Sequence, residues 1–194
     1  MKNKFAIFVF MLFTCTNISI AQTAKLSPTA VLLFKNVKSK LTIIEKNAIA
    51  ANLGFVLAPD RQSFAQDKAS LEYPFTAEVY PTDLNNDGTE ELFVSFGNSY
   101  TSGATGASIV LYIKGATGAY HANLGFPGTL PDVISSTNKG YPDLVIGGPG
   151  FSFPIWRWKG SEYVLHKTIN DRQLTAMKLK NVADYSRQYQ NTLK

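Results

Sequence analysis

Between Ser27 and Gly54 the apolar residues recur three or four positions apart, and this period predicts amphipathic helix. Pro28 suits the first helical position behind a Ser27 cap, and Gly54 suits a helix terminator. A second helix start is indicated at Thr42, because Glu45 follows three residues later, as in a capping box. The stretch therefore predicts two short helices that cover a sheet.

After Lys68 the hydrophobic period changes to two. Apolar segments with this alternation are separated by Gly, Pro and Asn, which is typical of β-strands joined by turns. The connections are too short for crossover helices, so antiparallel pairing is expected. The predicted strands are 75–80, 91–96, 107–114, 119–123, 142–147, 154–158 and 163–169, and a polar helix is predicted for 174–193. The expected fold class is α+β, with an N-terminal helical segment, an antiparallel sheet of short hairpins and a C-terminal helix.

An oxygen-rich loop stands between the first two predicted strands. Oxygen side chains occupy positions 1, 3, 5 and 9 of this loop, and a glycine at position 6 supplies a sharp turn. Ca²⁺ prefers six to eight oxygen ligands, so this spacing predicts a calcium loop. The candidate ligands are the side chains of Asp83, Asn85, Asp87 and Glu91 and the backbone carbonyl of Thr89.

The loop is not an EF-hand. An EF-hand has a bidentate Glu at position 12 and helices on both sides, whereas here position 12 is Val94 and a strand pattern follows. The competing interpretation is a solvated Asn-Asp-Gly turn, which uses the same residues without any metal.

A second copy of the segment lies 52 residues further along the chain. Residues 135–146 align with residues 83–94, and the glycine, the acid and the leucine at positions 6, 9 and 10 match. The ligand positions do not match, because Lys139 stands at position 5, where a cation would sit. We therefore expect the loop shape to be kept there without a metal, and Lys139 to pair with Asp143.

Both segments resemble FG-GAP or VCBS repeats. Residues 83–96 are similar to the calcium loop and following strand of that family, and residues 143–149 are similar to its Asp-Leu-x-Val-Gly-Ala-Pro core. The resemblance implies blades like those of integrin α-subunit β-propellers, with Ca²⁺ stiffening loops that bind protein or glycan. A closed propeller needs at least about four four-stranded blades, and this chain has room for about two. Propeller-like hairpins without a full propeller are therefore expected.

Residues 1–21 are predicted to form a secretory signal peptide. Lys2 and Lys4 precede an apolar stretch, and Ala21 precedes a cleavage point before Gln22. The apolar stretch is too short to span a membrane. Residues 22–194 would then form one α+β domain in the periplasm or outside the cell. Alternatively, Cys15 ends a distant match to a bacterial lipobox, which would make the protein a lipoprotein with a lipid anchor at that residue.

Charge and cysteine content narrow the function classes. The chain has 19 basic and 14 acidic residues, a net charge of +5, and the loss of two lysines with the leader leaves +3. This modest excess is no signature of nucleic-acid binding. Cys15 is the only cysteine, so the processed chain would have neither a disulfide nor a thiolate nucleophile.

Catalytic motifs are absent from the sequence. His121 and His166 are the only histidines and stand in no zinc spacing, and no Gly-x-Ser-x-Gly elbow is present. We therefore expect no catalytic residues, no cofactor besides Ca²⁺ and no enzyme activity.

An aromatic segment with a glycine-rich approach indicates a partner surface. Trp156, Arg157 and Trp158 have the composition of binding hot spots; the alternative is that the tryptophans pack in the core. The sequence thus predicts an exported calcium-binding interaction protein with an unidentified protein or glycan partner. The alternatives are a periplasmic inhibitor or immunity protein that caps a hydrolase, and a secreted metal-dependent hydrolase.

Overall fold

The computed structural model describes residues 25–147 and 152–193, and for residues 136–138 the backbone only. The predictions for residues 1–21 and for Cys15 lie outside the described residues. The helices are α1 (Pro28–Leu33), α2 (Ile43–Leu53), α3 (Ser99–Ser102), α4 (Asp171–Thr175) and α5 (Val182–Thr192). The strands are β1 (Val56–Leu57), β2 (Phe64–Ala65), β3 (Ala77–Thr82), β4 (Glu91–Phe96), β5 (Ser108–Lys114), β6 (Tyr120–Pro127), β7 (Asp132–Asn138), β8 (Tyr141–Val145), β9 (Ser152–Trp158), β10 (Tyr163–Asn170) and β11 (Leu179–Asn181).

Local capping explains the two N-terminal helices. The Ser27 side chain accepts a hydrogen bond from the backbone N–H of Ala30 at the start of α1. The Thr42 and Glu45 side chains form a reciprocal capping box at the start of α2. Gly54 ends α2 with a φ of 72°, a left-handed conformation that glycine adopts without steric cost. Both predicted helices and their caps are confirmed.

Two antiparallel sheets form the centre of the molecule. One has four strands in the order β3-β4-β5-β6, and the other has five in the order β10-β9-β8-β7-β11. Strands that follow one another in the chain are paired from β3 to β6 and from β7 to β10, whereas β11 pairs with β7 at the opposite edge from β10. Neither sheet closes into a barrel. With helices at both ends of the chain, this architecture confirms the α+β prediction.

The main core lies between and beside the sheets. Ile49 of α2 and Val94 of β4 belong to a cluster between the N-terminal helices and one face of the four-stranded sheet. Phe93, next to Val94, belongs with Leu144 of β8 to a second cluster between the two sheets. Since alternate strand residues point to opposite faces, β4 is buried on both sides.

A smaller cluster covers the other face of the five-stranded sheet. It contains Val145, Ile155 and Ile169, with Met177 packed against them from the segment after α4. The C-terminal segment therefore closes the outer side of this sheet.

The prediction of one helix over 174–193 is wrong. Helix α4 ends at Thr175, β11 follows, and α5 starts at Val182 behind an Asn181 cap. In β11, Leu179 pairs with Ile134 of β7 and extends the five-stranded sheet by one strand. Leu179 thereby packs against the apolar cluster on the outer face of this sheet, which a continuous helix on the surface would leave uncovered. Helix α5 then packs against β3 of the other sheet.

The expectation that the second repeat keeps the loop shape is also wrong. Strand β7 continues to Asn138 and β8 begins at Tyr141, and these two residues pair. Only Lys139 and Gly140 form the turn, and both have positive φ, 53° and 94°. Positive φ at both positions is what a two-residue type I′ hairpin requires.

Among the described residues, no helix combines the length and apolarity that crossing a membrane would require.

Candidate calcium loop

The candidate loop joins β3 to β4 and is closed by the pairing of Thr82 with Glu91. Two of its residues have left-handed backbone conformations, Asn86 with φ 58° and Gly88 with φ 84°. Asparagine and glycine are the residues that tolerate this region best. Their positions let eight residues turn between adjacent strands.

Hydrogen bonds from side chains to the backbone hold the loop. Asp83 Oδ2 accepts from the N–H of Gly88 at 3.0 Å, and Asp87 Oδ1 accepts from the N–H of Thr89 at 2.7 Å. Asn85 Oδ1 accepts from the N–H of Asp87 at 3.1 Å. The contacts of Asn85 and Asp87 reach the N–H two residues further on, as in Asx turns, and the Asp83 contact closes the loop across five residues.

Glu91 lies at the base of the loop and is only 1% exposed. Its carboxylate accepts from the N–H of Leu84 at 2.7 Å and from the hydroxyl of Tyr141 at 2.9 Å. Burial raises the pKa of Glu91 to about 8; the two hydrogen bonds oppose the rise, and the negative charges of Asp83 and Asp87 add to it. A cation among these carboxylates would favour the charged form of Glu91.

The fit to a metal ion depends on where the oxygens lie. Among the described residues, no three acidic, His or Cys side chains are gathered around one metal position. However, Asp83 Oδ1 is buried and has no hydrogen-bond partner within the described part of the chain. An unpaired buried carboxylate oxygen is costly, and it is the kind of ligand that Ca²⁺ prefers. The loop residues therefore match Ca²⁺ in donor type, in sequence spacing and in this unpaired oxygen, while their carboxylates do not already surround one point.

Glu90, next to Glu91, turns away from the loop and joins three other parts of the fold. It is 2% exposed. Its carboxylate accepts from Ser39 Oγ at 2.5 Å, from the N–H of Lys40 at 2.8 Å and from the hydroxyl of Tyr189 at 3.1 Å. Its backbone carbonyl accepts from the hydroxyl of Tyr120 at 2.7 Å. The end of the loop is thus tied to the α1–α2 connection and to α5.

In the second repeat, Asp143 does not pair with Lys139, contrary to the expectation. Asp143 is 4% exposed, and its carboxylate binds Arg157 at 2.6 Å. The ammonium of Lys139 donates instead to the backbone carbonyl of Lys159 at 3.2 Å. Both repeats have an acid at position 9. In the second repeat, the negative charge of this acid, Asp143, is balanced by the guanidinium of Arg157 on the neighbouring strand β9.

The three residues predicted to contact a partner differ in exposure. Trp158 is 7% exposed and belongs to the core cluster between the sheets. Trp156 is half-buried and stacks on Phe126, with ring centroids 4.9 Å apart. Arg157 keeps part of its side chain accessible beside Asp143. Any partner surface in this segment would therefore be formed by Trp156 and Arg157, since Trp158 offers little accessible area.

His121 and His166 are both exposed, on β6 and β10 respectively. His166 stands at a bulge where the register of β10 against β9 shifts. Neither histidine is part of the candidate loop.

Comparison with known protein families, with curated proteins and with solved structures finds no match to this chain.

Proposed function

We propose that this protein is an exported, calcium-stabilised binding protein without catalytic activity. The observation that supports this most is Asp83 Oδ1, a buried oxygen with no hydrogen-bond partner among the described residues, in a loop that has calcium-ligand spacing. A bound Ca²⁺ would give that oxygen a partner and would offset the repulsion among Asp83, Asp87 and Glu91.

Five residues would hold the ion: the side chains of Asp83, Asn85, Asp87 and Glu91 and the carbonyl of Thr89. The ion would supply positive charge that stiffens the loop. The loop connects to Tyr141 of the other sheet through Glu91, so a stiffened loop would also strengthen the contact between the sheets.

The strand arrangement supports a relationship to FG-GAP or VCBS repeats. Strands β3–β6 and β7–β10 form two antiparallel meanders of four strands, the number found in a propeller blade. In each meander the repeated segment lies at the first hairpin. In keeping with the resemblance, the proposed partner is a protein or a glycan, and Trp156 and Arg157 are proposed as contact residues.

Calcium binding is tested with two isosteric variants, Asp83→Asn and Asp87→Asn. Each keeps an oxygen that can accept the loop's backbone hydrogen bond but removes one negative charge. We expect the parent to bind one Ca²⁺ with an affinity on the order of 10⁻⁴–10⁻³ M. At about 10 mM Ca²⁺, mass action would then raise the free energy of unfolding by about 1–3 kcal/mol. Both variants should lose most of the calorimetric signal and of the thermal stabilisation.

The matched control is Asp60→Asn. Asp60 accepts from the N–H groups of Gln62 and Ser63 in a turn of similar kind outside the candidate loop, so calcium binding should not change. If the parent shows no saturable calcium binding, or if both loop variants bind calcium as the parent does, the loop is an ordinary turn and the proposal fails.

Export to the periplasm or beyond is part of the proposal, and it is checked by the intact mass of the protein recovered from the cell envelope or medium. We expect the mature chain to begin at or near Gln22, because residues 1–21 have the pattern of a cleaved leader. A chain that begins at an acylated Cys15 would make the protein a lipoprotein instead. An intact Met1 would contradict both routes.

A further inference from the structure

A groove runs between α1, β3 and α5, on the side of the four-stranded sheet that is remote from β6. It has a volume of about 540 Å³, and its floor is formed by residues 77–80 of β3. Leu32 and Lys35 line one wall and Ser186 and Arg187 the other. The backbone N–H of Lys38 donates to the Gln190 side chain at 3.0 Å, which fixes the spacing of the two walls at one end.

The floor of the groove is the edge of a sheet: β3 pairs with β4 alone, and α5 packs beside it as one wall of the groove. Strand β3 is an edge strand in the order β3-β4-β5-β6, so alternate residues direct their backbone N–H and C=O groups away from β4. Pro81 has no N–H, and proline within a strand is placed where that donor would face outward. By alternation from Pro81, the backbone N–H and C=O groups of Ala77 and Val79 also point away from β4. Both residues line the groove, so each offers one donor and one acceptor there, whereas Pro81 offers only an acceptor.

The rim of the groove is basic. The first cavity adjoins a second one of about 530 Å³, which shares Val37 and Lys38 with it. The charged side chains that line the two cavities are five cations and one anion: Lys35, Lys38, Lys40, Lys46, Arg187 and Glu78. The hydroxyl of Tyr80 donates to the carboxylate of Glu78. Arg187 has an exposed ion pair with Asp184 at 3.1 Å. Among the described residues, neither Lys35 nor Lys38 forms an ion pair with an acid.

We propose that this groove binds an extended acidic peptide segment of a partner protein. The segment adds to the edge of β3 through the backbone groups of Ala77 and Val79, and its acidic side chains lie near Lys35, Lys38 and Arg187. Strand addition supplies affinity from the main chain and selectivity from the side-chain surroundings. A flexible polyanion would use only the charges, whereas the open β3 edge favours a peptide backbone.

This inference rests on the proposed function only in taking the protein to be a binding protein. It uses no residue of the calcium loop, and it places a partner on a different face from Trp156 and Arg157. Peptide binding is therefore expected to be the same for Asp87→Asn as for the parent, provided that the variant is folded.

The test uses the full processed chain and a fluorescein-labelled peptide of sequence Val-Glu-Val-Glu-Val, followed by fluorescence polarisation and by amide NMR shifts. We expect saturable binding with the largest shifts at Ala77 and Val79. Lys35→Glu should weaken binding about tenfold, the order expected when a charge near a surface is reversed. The control Lys178→Glu changes an exposed lysine outside the groove and should bind as the parent does.

A second probe separates strand addition from attraction of charge. The same peptide with N-methyl groups on every internal backbone nitrogen keeps its carboxylates but loses the N–H donors on both of its edges, and it should bind at least about tenfold more weakly. Equal binding of the N-methylated peptide, or of a sulfated oligosaccharide, would overturn the proposal in favour of a general polyanion site. Absence of binding to the unmodified peptide, or insensitivity to Lys35→Glu, would also overturn it. A negative result with calcium binding intact would leave the proposed function standing.

Discussion

Replacing Trp158 with alanine is expected to lower the free energy of unfolding by about 3–5 kcal/mol, the range for truncating a large buried aromatic side chain. Trp158 is 7% exposed, and its ring lies 4.5 Å from that of Tyr141 and 5.4 Å from that of Tyr163, centroid to centroid. For a chain of this length the melting temperature should fall by about 10 °C. Thermal and urea unfolding, followed by circular dichroism, measure both quantities.

Trp156→Phe is the matched control on the same strand. The indole Nε1 of Trp156 is buried and has no hydrogen-bond partner among the described residues, while the ring stacks on Phe126. Phenylalanine keeps an aromatic ring and removes the unpaired donor, so the free energy of unfolding should change by less than about 1 kcal/mol. Unchanged melting of Trp158→Ala would contradict the assignment of Trp158 to the core and would return it to the partner surface.

The N-terminal helices could be predicted because their signals are local. Ser27, Thr42 and Glu45 form their caps with residues at most three positions away, and such contacts can be inferred from spacing alone. Strand β4 was predicted with its observed bounds for a related reason: an oxygen-rich turn precedes it, and it contains a continuous apolar run that is buried on both faces.

Two of the elements that were missed, β7 and β11, pair with each other across a long stretch of sequence. Strand β7 has a polar second half, from Ser135 to Asn138, that resembles a loop in sequence. Strand β11 has only three residues inside a region of helical composition. Both become strands because each completes hydrogen bonds with the other and because β7 also pairs with β8. Periodicity within a short window contains no information about such partners.

The candidate site likewise combines residues that local spacing predicts with residues that only the fold brings together. Spacing was sufficient to select Asp83, Asn85, Asp87, Thr89 and Glu91 as candidate ligands. It did not indicate that Tyr141, 50 positions away, would donate to Glu91. The alignment of the two repeats offered one signal, since it places an aromatic hydroxyl at position 7 of the second copy, but nothing in the alignment relates that hydroxyl to the first copy. Likewise, no pattern distinguished Glu90 from an ordinary exposed acid at a strand start.

Glu90→Ala is expected to lower the free energy of unfolding by about 2–4 kcal/mol and to loosen α5 and the α1–α2 connection selectively. The substitution removes the acceptor for three donors, Ser39 Oγ, the N–H of Lys40 and the hydroxyl of Tyr189. Each donor left without a partner costs about 1–3 kcal/mol if it stays buried and less if water reaches it. Hydrogen exchange of residues 34–42 and 182–192, together with urea unfolding, measures both effects.

Glu90→Gln provides the graded control, because the amide keeps one oxygen acceptor and nearly the same shape while its NH₂ group faces donors. We expect the free energy of unfolding to fall by about 1–2 kcal/mol, which is less than for alanine. Hydrogen exchange in α5 should also increase less than in Glu90→Ala. Glu162→Ala, at an exposed acid in the turn between β9 and β10, should leave stability and exchange unchanged. Since the Glu90 carboxylate joins the end of the loop to both helical segments, faster exchange should be concentrated in those segments. Uniform acceleration across all strands, or protection of α5 equal to that in the parent, would show that Glu90 does not hold the helices to the sheet.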